Sequence, residues 1–138
     1  MSGEYVEKLK KRAESFMKEA EEAADKDLAI FFIEQSLQIY VKAVYYEIFG
    51  EKIRGHSLRT TLGTLARSLE KQDFKEASEK INLFINSHRE DLVLLEEAYT
   101  ESRYGELSYT EKDVERSLKM AGELIKILRE VEEIVKLG

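Results

Sequence analysis

Arg103 and Tyr104, set between Tyr99 and Gly105, form the sharpest polar feature of the chain. A guanidinium can grip a phosphate through two parallel N–H bonds, so Arg103 is a candidate anion holder. A second cationic segment, Lys52 to His56, carries Lys52, Arg54 and His56 in five residues. If the two segments meet in space, cations and aromatics converge on one spot of an otherwise acidic molecule and suit a phosphate-bearing ligand. The ligand-binding candidates are therefore Arg103, Tyr104, His56, Lys52 and Arg54. A structural reading stands beside each. Arg103 can cap the last carbonyls of a helix, helped by the helix dipole. Tyr104 and Tyr109 can anchor a loop, and His56, at a helix start, can cap or pack. His88, beside Arg89, Glu90 and Asp91, reads as a surface residue.

Several other chemistries are excluded. Two lone histidines without carboxylate or cysteine partners at ligand spacing make no metal site. Adjacent carboxylates such as Glu21-Glu22, Glu96-Glu97 and Glu132-Glu133 point about 100° apart on a helix, so they read as solvated faces. No Glu-x-x-His pair, Gly-rich phosphate loop or nucleophile elbow occurs, and no cofactor is implied. The chain lacks cysteine and proline, which rules out thiolate chemistry and suits a cytoplasmic setting. Charged residues make up 36%, rich in Glu and Lys, and Trp is absent, a composition like that of proteins from hot environments. The net charge of −6 argues against a broad DNA-binding footprint, so any nucleic acid must be gripped locally. Apolar runs stop well short of about 18 residues, so no membrane span and no signal-peptide core is expected.

With 138 residues, the chain is expected to form one domain, 1–138. Apolar residues at spacings of three and four, Val6, Leu9, Ala13, Phe16, Met17 and Ala20, predict a first helix from Glu4 to about Ala24. After a corner at Ala23 to Asp27, a second helix, Leu28 to Phe49, is apolar over most of its girth. Such a helix must be buried on more than one side, at the bundle centre or at a subunit interface. Gly50 is placed to stop it, and Ser57 to cap a third helix ending near Glu70. Asp73 with Glu76 reads as a capping box for a fourth helix on Phe74, Ala77, Ile81 and Phe84 or Ile85. A fifth, from Ser87 or His88 to Thr100, is expected to bury Leu92, Leu95 and Tyr99. Arg103 to Tyr109 then reads as a loop. Thr110 and Asp113 cap a last helix, Glu111 to about Lys136, on Val114, Leu118, Ala121, Ile125, Leu128 and Val135. The expectation is an all-α, up-and-down bundle of five to six helices, with the second and last central.

Three signatures in this order, Glu34 to Ala43 with Gln35, Gln38 and Lys42, then His56-Ser57-Leu58, then Ser102-Arg103-Tyr104-Gly105, resemble those of the HEPN family of small helical bundles. Taken without the family, Gln35, Gln38 and Lys42 would be a solvated stripe. The resemblance implies a dimeric nucleotide- or RNA-related binding module, a homodimer partnered by a minimal nucleotidyltransferase in a toxin-antitoxin-like or stress-linked system. In nuclease members an Arg is followed four to six residues later by a His, and two such motifs meet across a dimer cleft to cleave RNA. After Arg103 this chain has Tyr104, Gly105, Glu106, Leu107, Ser108 and Tyr109, with no His. An unshifted tyrosine is a poor acid-base residue at neutral pH, and Arg103-Tyr104-Gly105 is nearer the family's non-nuclease Arg-Tyr-Pro form. Two alternatives stay open: a metal-independent ribonuclease using Arg103 with Tyr109 as an atypical acid, and a purely structural interaction bundle.

Overall fold

The structure, a computed structural model, describes residues 2–101 and 108–138. Among them are six helices and no strand: α1 (Ser2–Glu22), α2 (Lys26–Phe49), α3 (Leu58–Lys71), α4 (Lys75–Ser87), α5 (Arg89–Glu101) and α6 (Glu111–Leu137). The all-α bundle expected from the periodicity is what forms. Arg103, Tyr104 and most of the expected 103–109 loop lie outside the described residues.

The α2 helix is the axis of the molecule. It packs against α1, α3, α5 and α6, which is how a single chain satisfies its apolar girth: Ile30, Ile33, Leu37, Val41 and Val44 are fully buried, with Ala29, Ala43 and Tyr40 beside them. Asp25 starts it by accepting the Asp27 and Leu28 N–H groups at 2.9 and 3.2 Å. Gly50, at φ 70°, ends it by donating its N–H to the Tyr46 carbonyl. The α1 backbone runs alongside α2 alone. Their approach is close because α1 presents Ala13 and Ala20 there, and Ser36 Oγ donates to the Ala13 carbonyl at 2.6 Å.

Two expectations need correction. Asp73 does not cap α4: it sits at φ 66°, and the Asp73 and Phe74 N–H groups donate back to the Glu70 and Leu69 carbonyls. That pair of bonds is a Schellman closure of α3, with Asp73 at the left-handed position usually given to glycine, and α4 then starts at Phe74 with no side-chain cap. On α6 the capping box of Thr110 and Asp113 forms as expected. The buried face, however, is Ser117, Met120, Ala121, Leu124, Leu128 and Val131, while Val114, Leu118, Ile125 and Val135 flank it half-buried. The expected stripe shares only Ala121 and Leu128 with this face. On the flank, Met17, Leu118, Ala121 and Ile125 floor an open groove of about 700 Å³ between α1 and α6, rimmed by Glu21, Lys126, Arg129, Glu130 and Glu133.

Candidate functional site

The α2–α3 connection, residues 50–57, is held in place residue by residue. Lys42 Nζ, two turns before the end of α2, donates to the Gly55 carbonyl at 2.9 Å. Gln38 Nε2 donates to the His56 carbonyl at 2.7 Å. Ser57 caps α3, its Oγ accepting the Thr60 N–H and donating to Glu96 Oε1 at 2.8 Å. Gly55 at φ 119° occupies backbone space open to few residues with a side chain, which lets the loop turn toward α2 between these anchors.

Under the loop lies Glu34, fully buried. Its two carboxyl oxygens accept from Gln35 Nε2 at 2.9 Å and Gln38 Nε2 at 2.6 Å. Burial pushes its pKa up to about 7, against the downward pull of those two amides and Lys42, while Glu96 adds to the rise. Lys42 is lowered by its own partial burial. The residues at 34, 38 and 42 thus form a polar ladder from the helix interior to the loop, and the solvated-stripe reading of Gln35, Gln38 and Lys42 fails for Gln38, which is buried.

On the other side of the loop, α5 is clamped to the start of α3. Glu96 takes the Arg59 guanidinium as a fork, from Nε at 3.0 and 3.1 Å and from Nη2 at 2.9 Å, and accepts the Arg59 backbone N–H at 3.2 Å. Although partial burial works against its charge, these bonds hold Glu96 below the usual carboxylate range and Arg59 above its ordinary value. The carboxylate fills the N-terminus of α3, where exposed N–H groups otherwise attract an anion. Glu96 is therefore no solvated face, and neither is Glu132, which accepts from Lys10 Nζ at 2.8 Å in a buried position. Their neighbours Glu97 and Glu133 are exposed, as the 100° step requires.

One turn beyond Glu96, Tyr99 is half-exposed instead of buried; Ala98 takes the core position. Its ring stacks on His56 (centroids 5.7 Å apart, planes 13° apart) and on Phe31 (6.4 Å, 21°). The last turn of α5 and the loop Lys52 to His56 are thus neighbours, the juxtaposition on which a shared phosphate site depends. Within the loop, Arg54 and the His56 side chain are exposed. Lys52 leans the other way, its Nζ 5.1 Å from the Tyr5 ring on α1. Tyr109 lies just before α6: its N–H donates to Asp27 Oδ1 at 2.9 Å, its ring packs on the core, and its hydroxyl is shielded from solvent, as a loop anchor requires.

His88 is not a simple surface residue. Half-buried where α4 meets α5, it pairs through Nε2 with Glu123 at 2.8 Å and tilts against Phe84. No cluster of three or more His, Cys, Asp or Glu able to hold a metal occurs among the described residues. Nor is any described helix long and apolar enough to cross a membrane.

Sequence reasoning missed Glu34, Arg59 and Glu96 as parts of one site. The only signal for them was spacing: 34, 38 and 42 share a helix face, and Arg59 lies in the first turn of a helix that needs an anion.

A central helix carrying a buried polar ladder to a loop, with a second helix end stacked on that loop, defines a helical-bundle domain with one polar rim. The chain belongs to the HEPN domain family, whose model matches residues 6–131. Membership links it to nucleotide- and RNA-related function. No curated protein and no solved structure is significantly similar to the chain.

Proposed function

We propose that the protein is a nucleotide- or RNA-related binding module whose ligand sits on the rim formed by the α2–α3 loop and the end of α5. One observation carries this: the Tyr99–His56 stack joins the exposed cationic loop to the helix whose sequence continues, two and three residues past Glu101, into Arg103 and Tyr104. Arg54 and Arg103 supply phosphate-gripping guanidinium groups on a molecule of net charge −6, which keeps nucleic acid off the remaining surface. The proposal includes a homodimer and a minimal nucleotidyltransferase partner in a toxin-antitoxin-like or stress-linked pair. Family resemblance supports both; the apolar girth of α2 does not, because the chain's own helices cover it.

Titrating AMP while following backbone amide shifts tests the site. Shifts are expected at Arg54 to Ser57 and from Tyr99 to Gly105. Shifts confined to α1, α4 or α6, or none at millimolar AMP, remove the site.

A further inference from the structure

Resting on that reading of the rim, we propose that the His56 ring is a stacking platform for a nucleobase, so that the site holds a nucleotide by its base as well as by its phosphate. The residue is exposed, yet its backbone is fixed on three consecutive positions: the Gly55 carbonyl by Lys42, the His56 carbonyl by Gln38, and the Ser57 side chain by Glu96 and the Thr60 N–H. A loop tied so closely, with the middle side chain left facing water, presents a ring whose freedom is largely spent before any ligand arrives. Binding to it carries little further ordering cost.

The ring's orientation points the same way. His56 lies nearly parallel to Tyr99, and Tyr99 to Phe31; Phe31 in turn meets Phe32, and Phe32 meets Phe16, each at 6.1 Å. A row of rings thus runs from α1 through α2 and α5 to the loop. Every base offers a π face to such a row, which makes stacking tolerant of base identity. The obvious competing anion site, the N-terminus of α3, is already occupied by the Glu96 carboxylate. A phosphate beside the ring is therefore left to the exposed Arg54, with the base directed to His56.

Calorimetric titration of the full chain with AMP and with ribose 5-phosphate tests this, on wild type, His56→Ala and His56→Phe. Wild type is expected to bind AMP about tenfold more tightly than ribose 5-phosphate. His56→Ala is expected to lose that advantage with ribose 5-phosphate affinity unchanged, and His56→Phe to retain it. Equal affinity of wild type for the two ligands, or an AMP advantage that survives in His56→Ala, overturns the platform and leaves the phosphate site standing. Failure of wild type to bind either ligand at millimolar concentration overturns both.

Discussion

Glu34 is the residue whose environment departs furthest from its sequence appearance. In the unfolded chain its carboxyl titrates near the ordinary 4.5, and in the fold burial raises it to about 7. Between those values the native state holds a proton that the unfolded state has released, so stability falls as pH rises through this window and the loss is complete above about 7. A shift of this size corresponds to about 3 kcal/mol. Glu34→Gln, which imitates the protonated acid, is expected to match wild type near pH 4.5 and to gain on it progressively toward pH 8, by up to about 3 kcal/mol in denaturant melts. A constant difference across that range would show that Glu34 ionises in the fold as it does in water. The sequence displayed Glu34, Gln38 and Lys42 one turn apart, a spacing that serves a wet face as readily as a buried one. Only the loop laid over the first two decides between them, and no local periodicity encodes where a loop will lie.

The helices themselves were legible to within a few residues wherever a cap or a glycine marked the end: Gly50, Ser57 and the Thr110–Asp113 box are all used, whereas the Asp25 cap of α2 lay unread within the expected corner. Two misreadings share a cause, in that one pattern serves two structures. An Asp three residues before a Glu fits a capping box, but Asp73 also fits the left-handed position that closes α3, and closing the longer helix prevailed. Asp73→Gly separates the two roles. At a left-handed position it is expected to leave stability unchanged or raise it by about 0.5–1 kcal/mol. An N-cap lost to glycine would instead cost a few tenths of a kcal/mol. On α6, two overlapping stripes of apolar residues were available, and the one chosen from sequence faces the α1–α6 groove because α2 and α4 cover the other. Clamping by Glu96 belongs to this scale as well. Glu96→Ala strips Ser57 and Arg59 of their shared acceptor, and is expected to cost about 1.5–3 kcal/mol and to broaden the amide signals of residues 55–59. Sharp, unshifted signals there would mean the loop is held by Lys42 and Gln38 alone.

For the whole molecule, the question is whether one polar rim can cleave RNA or only bind it. Metal-independent cleavage needs a group to take the 2′ proton and another to protonate the leaving oxygen, both with pKa values near neutrality. The chain has two histidines. His88 stands at the opposite end of α5 from Tyr99, about 16 Å along the helix, and is engaged by Glu123. The Glu34 carboxyl, poised near 7, is shut away from solvent, and the Tyr109 hydroxyl is likewise shielded. Among these groups of the described residues His56 alone faces the rim, so one chain offers one imidazole where the reaction asks for two groups. Wild type is therefore expected to show little or no cleavage of structured or unstructured RNA in chelator-containing buffer. Arg103→Ala, Tyr109→Phe and His56→Ala should leave that baseline unmoved, while Arg103→Ala weakens nucleotide binding. Robust cleavage by wild type, abolished by Arg103→Ala together with either of the other two substitutions in a protein that still melts as a folded bundle, would replace the binding reading with an enzymatic one. Loss through His56 would make the α2–α3 loop the source of the catalytic imidazole, and loss through Tyr109 would require that hydroxyl to leave its shelter.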